Sequence, residues 1–349
     1  MRKIIFIISS LGSGGAERVV VNLSNYFSKK HEVSIVTLSN EESFYNLNAN
    51  VKHIKLNLTE KSNNILGSIK NNLNRILEIR KIVKKENPDI MVSFLTQTNI
   101  ISLISSSGIK FKKILSERSV YFSENSNFIW KFLRRLTYPF ANNVILLTKG
   151  DAENYKFLKN KAIIPNFVNN TENNHSLCKE NIILAVGRLH PVKQFDKLIE
   201  LYYKSKIEWP LYIVGDGQEM DKLKKMIKEF NLEKKIFLEG RKTNIYDYYK
   251  KAKIFALTSK HEAFPNAMLE AIYFGCGVVG FDCPYGPKEI IENGKSGYLV
   301  KDDNDFIEKL HLLVNNEAIL NKISQNAKNR AKVFNKNKIL KKWEKYVEN

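Results

Sequence analysis

Residues 254–271 read Ile254-Phe255-Ala256-Leu257-Thr258-Ser259-Lys260-His261-Glu262-Ala263-Phe264-Pro265-Asn266-Ala267-Met268-Leu269-Glu270-Ala271. Four apolar residues make a short buried strand and a polar loop follows it. Pro265 then stands where the first position of a helix favours proline. In that frame the backbone N–H groups of Asn266, Ala267 and Met268 lack partners inside the helix and point toward an anion. Glu262 lies on the loop and Glu270 about one turn inside the helix, one on each side of such an anion. Carboxylates accept hydrogen bonds from the paired hydroxyls of a sugar or a ribose.

The same strand-then-helix unit recurs outward from this stretch. In the second half, strands near 182–186, 211–214, 235–238 and 278–280 each precede a helical pattern. In the first half, strands at 3–8, 32–38, 89–94, 112–116, 143–147 and 162–164 alternate with helices such as 16–29, where Val19, Val20, Leu23 and Phe27 recur at helical spacing. Alternation of this kind predicts parallel sheets covered by helices on both faces. The stretch 168–180 is polar, lacks an apolar period and reads as a linker. The expected class is therefore α/β, with two Rossmann-like doubly wound domains, 1–170 and 181–330, facing a central cleft. The helical tail 331–349, anchored by Trp343, is expected to return to the N-terminal domain.

Composition narrows the function. The 349 residues are 43% hydrophobic and 26% charged, as in ordinary globular proteins. Three cysteines make no disulfide framework, and no apolar run approaches the roughly 20 residues of a membrane span. A cytoplasmic chain is expected. The net charge is +20, and residues 1–170 hold 25 basic against 12 acidic residues. Such an excess points to an anionic partner, although a Lys- and Asn-rich codon bias also raises it.

Other turns carry further chemistry. Ser9-Ser10-Leu11-Gly12-Ser13-Gly14-Gly15-Ala16-Glu17-Arg18 is a glycine-rich turn at a helix start, without the spacing of a dinucleotide fingerprint. Gly187-Arg188 follows a strand, with Lys193 just before a helix. Two cations at a strand's carboxyl end suit a diphosphate, Arg as a fork and Lys as a point charge. Asp303-Asn304-Asp305 precedes a helical run, so it reads as a helix cap and not as a metal triplet. No metal and no cofactor are expected.

Taken together, Gly14-Gly15-Ala16-Glu17-Arg18, Gly187-Arg188 with Lys193, Gly215-Asp216-Gly217 and the Glu262–Glu270 pair resemble family 4 retaining glycosyltransferases of the GT-B fold. The segment from Asp282-Cys283-Pro284-Tyr285-Gly286-Pro287 to Ile291 is similar to many bacterial members. Glu42-Ser43-Phe44-Tyr45, Val92-Ser93-Phe94-Leu95, Ser116-Glu117-Arg118 and Trp130-Lys131-Phe132-Leu133-Arg134-Arg135 resemble enzymes that extend polyprenyl-diphosphate-linked oligosaccharides with N-acetylgalactosamine. The resemblance implies that Arg188 and Lys193 neutralise a leaving nucleotide diphosphate, with UDP as the expected carrier. It implies that Glu262 binds the donor sugar, Glu270 the ribose, and Gly240 with Arg241 the base. Gly14 and Gly15 would approach the donor phosphates, together with the N–H groups of Asn266, Ala267 and Met268. Relatives usually place a histidine where this chain has Arg118, which implies either a phosphate-reading guanidinium or an inactive nucleotide-sugar-binding partner.

Two segments are strongly basic. Residues 61–85 hold Lys61, Lys70, Arg75, Arg80, Lys81, Lys84 and Lys85 against Glu78 alone, with Ile65, Ile69, Leu73, Ile76 and Val83 on one helical face. Residues 110–135 interleave seven basic residues with Phe128, Ile129, Trp130 and Phe132. A domain helix with its stripe on the sheet is one reading; an acceptor and membrane face that includes Lys70, Lys81, Lys84, Lys85 and Arg118 is the other. The implied partners are a nucleotide sugar, a polyprenyl-diphosphate-linked saccharide and the anionic inner leaflet of the plasma membrane. A GT-B epimerase or phosphorylase is the enzymatic alternative, and no motif supports nucleic-acid binding.

Overall fold

The computed structural model describes residues 1–60, 64–122, 128–168 and 178–348. Lys61, most of the expected linker 168–180 and part of the basic segment 110–135 lie outside the described residues. The chain divides into two compact units, Met1–Pro165 with Leu340–Asn349, and Asn166–Ile339.

The first unit runs β1 (Lys3–Ile8), α1 (Gly15–Phe27), β2 (Glu32–Thr37), β3 (Val51–Lys55), α2 (Ile65–Glu86), β4 (Ile90–Phe94), α3 (Thr96–Ser105), β5 (Lys112–Ser116), α4 (Phe128–Thr137), β6 (Asn143–Leu146), α5 (Lys149–Ala152) and β7 (Lys161–Ile163). Its parallel sheet has the order β3-β2-β1-β4-β5-β6-β7. Central β1 is a continuous apolar run because both its faces are covered, and Ile4 to Ile8 are all buried. β3 has no counterpart in the sequence reading. It pairs with β2 at the sheet edge, and of its Val51-Lys52-His53-Ile54-Lys55 only Val51 is buried, so no apolar run marks it.

The second unit runs β8 (Glu180–Val186), α6 (Phe195–Ser205), β9 (Leu211–Val214), α7 (Met220–Glu229), β10 (Ile236–Gly240), α8 (Ile245–Lys251), β11 (Ala252–Leu257), α9 (Asn266–Tyr273), β12 (Gly277–Phe281), α10 (Gly286–Ile290), β13 (Tyr298–Val300), α11 (Asp303–Asn315), α12 (Glu317–Ala331) and α13 (Lys336–Val347). All strands are parallel, in the order β10-β9-β8-β11-β12-β13. This is the doubly wound arrangement, whose order reverses between β8 and β11. Its core joins both helical layers to the sheet, from Ile183 and Leu198 to Phe306 and Ile323.

Helix α13 straddles the division between the units. Its last residues belong to the first unit, where buried Trp343 stacks on Phe94 at 6.2 Å and Tyr26 donates to Glu344 at 2.7 Å. The boundary of this returning segment thus falls at 339/340, inside the helix, and not at 331.

Two expectations need correction here. Ile65, Ile69 and Leu73 of α2 do not pack on the sheet: they are exposed, and only Ile79 and Val83 of that helix are buried. At 22 residues α2 is the longest described helix of this unit, and its first turns are exposed among the described residues. Arg118, expected on the acceptor and membrane face, is not a surface side chain. It is buried, donates from Nε to Ser116 Oγ at 2.8 Å, and its guanidinium sits 5.7 Å from the Phe94 ring and 5.6 Å from the Trp343 ring. Burial pushes its pKa down to about 9.

Candidate functional site

In doubly wound sheets ligands bind beyond the carboxyl ends of the strands, where the strand order reverses. Here that point lies between β8 and β11, and these two strands carry Arg188 with Lys193 and Glu262 respectively. Beyond β8 the chain makes a 3-10 turn, Pro191–Lys193, started by His190, whose Nδ1 accepts from Val192 N. The turn ends on Gln194 in the left-handed region, φ 49°. It delivers Lys193 onto Glu262, with Nζ donating to Oε1.

Glu262 Oε1 also accepts from Ser259 Oγ at 2.7 Å. Among the described residues no hydrogen bond reaches its Oε2, which is left to accept from a ligand hydroxyl. The Arg188 side chain is exposed and makes no hydrogen bond or ion pair among the described residues. The site thus holds one unpaired cation and one cation held by a carboxylate.

The loop after β11 is fixed from several sides. Thr258 Oγ1 donates to Lys193 O at 3.0 Å and Gln194 O at 2.9 Å, while Lys260 N donates to Val192 O at 2.8 Å. These bonds zip the two site loops together across the reversal point. Glu262 O accepts from Gly286 N at 3.0 Å, and a side chain at Gly286 would meet Pro265 at 2.6 Å. The β12 loop therefore closes against the β11 loop. Cys283 there is buried, and desolvation, with Glu262's charge adding, pushes its thiol up to about 12, so it remains protonated and inert.

Pro265 is the cap of α9 and not its first residue. Leu269 N is the first to close onto Pro265 O, which leaves the N–H groups of Asn266, Ala267 and Met268 outside the helical ladder. Their orphan donors and the helix dipole suit an anion. Asn266 Oδ1 accepts from the buried Asn166 Nδ2 at 2.8 Å, fixing the helix start. Glu270 is buried within α9.

The glycines divide by role. Gly215 and Gly217 permit close approach: a Cβ at Gly215 would lie 1.8 Å from Gly187 O, and at Gly217 2.4 Å from Leu189 O. Gly240 adopts φ +67° at the end of β10, next to exposed Arg241, and its carbonyl accepts from Gly215 N. Gly14 does not make a sharp left-handed turn, since its φ is −75°. A Cβ there would meet the Glu17 carboxyl at 2.2 Å, the far end of a flexible side chain that can swing away. Gly15 opens α1, and Tyr45 Oη donates to Ser13 O at 2.9 Å beside it.

The remaining basic candidates belong to the first unit. Lys70, Lys84 and Lys85 are exposed on α2, and Lys81 pairs with Glu78 at 2.6 Å. Arg75 and Arg80 cap carbonyls, Arg75 that of Leu58 and Arg80 those of Ser105 and Ser107. The acidic triplet opens α11, where Asp302 rather than Asp303 is the cap, accepting from Asp305 N at 3.0 Å. Thr258, Ser259 and Asn166 are residues the sequence reading missed. Thr258 and Asn166 act through a carbonyl or side chain brought in from elsewhere, and Ser259 through Glu262 three residues on.

Comparison with known proteins agrees with this geometry. The family described as Glycosyl transferases group 1 matches residues 168–330, and Glycosyltransferase Family 4 matches residues 13–172. A Campylobacter jejuni protein named GalNAc-alpha-(1->4)-GalNAc-alpha-(1->3)-diNAcBac-PP-undecaprenol alpha-1,4-N-acetyl-D-galactosaminyltransferase is 33% identical, over 99% of this chain and 98% of its own. A second from the same organism, N-acetylgalactosamine-N,N'-diacetylbacillosaminyl-diphospho-undecaprenol 4-alpha-N-acetylgalactosaminyltransferase, is 31% identical over 99% of this chain and all of its own. Among solved structures, TarM aligns over 100% of this chain and 99% of its own, with a TM-score of 0.82 and 19% identity. The chain is a glycosyltransferase with two Rossmann-like domains of the GT-B type, and it belongs to glycosyltransferase family 4.

Proposed function

We propose that this enzyme transfers an N-acetylhexosamine, foremost N-acetylgalactosamine, from its UDP carrier to a polyprenyl-diphosphate-linked saccharide, with retention of configuration. The observation that carries the reading is the grouping at the sheet's reversal point: exposed Arg188, Lys193 held by Glu262, and the open N–H groups of α9. Full-length similarity to two transferases named for GalNAc and undecaprenol diphosphate supports the substrates.

Breaking the bond between sugar and diphosphate builds negative charge on the departing UDP. Arg188 meets that charge as a fork. Lys193 exchanges the Glu262 carboxylate for a phosphate oxygen, and the α9 N–H groups complete the cradle. Glu262 Oε2 accepts from a sugar hydroxyl, Glu270 from the ribose, and Arg241 lies against the base. The departing phosphate oxygen takes the acceptor's proton on the face it leaves, so no carboxylate nucleophile is needed and configuration is kept. Arg188, Lys193 and the helix terminus replace a metal in neutralising the diphosphate.

Among the described residues no helix is long and apolar enough to cross a membrane. A bilayer-anchored acceptor requires the enzyme to work at that surface, and the basic first half of the chain suits the anionic inner leaflet. The test is turnover by purified protein across a panel of UDP-hexoses and UDP-N-acetylhexosamines, with lipid extract as acceptor. UDP release should depend on one sugar and on the extract, fall at least about 100-fold in Glu262→Ala, and survive EDTA unchanged. Nucleotide binding without turnover would instead identify an inactive partner, and inhibition by EDTA would overturn the metal-free mechanism.

A further inference from the structure

Helix α4 is amphipathic the wrong way round for a soluble domain. Phe128 is 78% exposed, Phe132 53% and Leu136 52%, with Ile129 exposed beside them. Arg134, roughly 180° away around the helix, is 1% exposed. Its guanidinium stacks 3.7 Å from the Tyr121 ring and donates to Tyr121 O and Tyr155 Oη. Ordinary folding buries the apolar stripe and leaves the arginine in water. Here the charge is held inside by two aromatic rings, and the apolar stripe faces out. It continues into Phe140, 79% exposed, immediately after the helix.

A second apolar ridge lies in the same layer. α1 joins β1 to β2, whereas α2, α3 and α4 join β3 to β4, β4 to β5 and β5 to β6, crossing the sheet in the opposite direction. Right-handed crossovers therefore put these three helices together on the face opposite α1. α3 packs against both α2 and α4. The exposed ridge of α2, Ile65, Ile69, Leu73 and Leu77, and that of α4 are thus two rails with α3 between them, about 20 Å apart at two helix spacings. Exposed Lys70, Lys84 and Lys85 line one rail; Arg135 and half-buried Lys131 flank the other, and α4 contains no acidic residue.

We infer that the α2–α4 layer is a two-rail lipid anchor, in which the α4 face with Phe140 enters the acyl region of an anionic bilayer while the flanking cations meet its headgroups. A protein partner would need to match two separated apolar ridges fringed with positive charge; a bilayer matches them at any lateral position. The inference rests on the membrane reading above and deepens it: attachment depends on apolar insertion and not on charge alone.

The experiment is flotation of the full chain with vesicles of phosphatidylglycerol and phosphatidylethanolamine in equal parts. Wild type and Phe128→Ser/Phe132→Ser/Leu136→Ser are compared in low salt and in about 1 M NaCl, where the screening length is about 3 Å. These side chains are exposed, so the variant should keep the wild-type melting profile. Binding of the wild type should persist in high salt, and the variant should bind at least about 30-fold more weakly. Phe132→Trp in a Trp130→Phe/Trp209→Phe background supplies a second readout from the exposed face: brominated lipids should quench the new tryptophan, while buried Trp343 stays unquenched. A Ser variant that floats like the wild type, or wild-type binding abolished by salt without quenching of the tryptophan at 132, overturns insertion and leaves the membrane reading standing. A wild type that binds no vesicle in either salt overturns both.

Discussion

Thr258 shows how a site can depend on a residue that touches no ligand. Its hydroxyl donates to two successive carbonyls, Lys193 O and Gln194 O, the second on a residue held at positive φ. Its one proton is shared between them, Gln194 O also accepting from Leu198 N, so losing it removes the side-chain tie on the turn that aims Lys193. A hydrogen bond of this kind is worth about 0.5–1.5 kcal/mol. Thr258→Val should therefore lower kcat/KM by roughly threefold to tenfold without changing the fold, and Thr258→Ser should restore it. A Thr258→Val enzyme with unaltered kinetics would remove the turn from the mechanism. Asp151 makes a different residue-scale prediction. Burial raises its pKa from 3.8 to about 6, against the lowering by the Tyr121 N–H. The folded state then binds this proton more tightly than the unfolded chain. The penalty for ionisation is present above the folded value and is relieved as pH falls through 6 toward 3.8. Asp151→Asn, which keeps an acceptor, should raise stability at pH 7 by up to about 3 kcal/mol. It should also flatten the melting profile between pH 7 and pH 5, measured by calorimetry.

At the scale of elements, sequence periodicity and tertiary setting agree in most places and part in instructive ones. Each strand read from the sequence is present within two residues of its expected ends, because a strand covered on both faces must be a run of apolar residues. β3 escaped that test because only Val51 of its five residues is buried, so it carries no apolar run. The α2 stripe has correct helical spacing, yet its first turns face outward. Spacing specifies which residues share a face and says nothing of what that face meets. In α4 the burial is inverted outright, since Tyr121 and Tyr155 offer Arg134 a buried aromatic lodging that no local pattern encodes.

At the scale of the whole molecule, the last ten residues belong to the first unit although the helix that carries them begins in the second. Trp343, fully buried, covers Phe94 and the Arg118 guanidinium, and Val347 O accepts from Arg2. Removing 340–349 uncovers this part of the first unit's core, at a cost on the order of the 3–5 kcal/mol of a buried Trp→Ala change. Limited proteolysis of the truncated chain should show new cleavage within 1–165 and an unchanged pattern within 178–339. Equal protection of 1–165 with and without the tail would show that the segment is dispensable to that unit's stability.

The sequence by itself determined the fold class, through apolar period and through glycine and proline at loop–helix junctions. It determined the reaction class through motifs that together resemble a known family. The candidate donor residues Arg188, Lys193, Glu262 and Glu270 were legible for the same reason. Only the tertiary structure decided which charges are available. It pairs Lys193 with Glu262, leaves Arg188 open and buries Arg118 between Phe94 and Trp343, a ring supplied from 225 positions along the chain. It also turned the apolar faces of α2 and α4 outward. Partners distant in sequence set the burial and pairing of a side chain, and a one-dimensional pattern cannot name them.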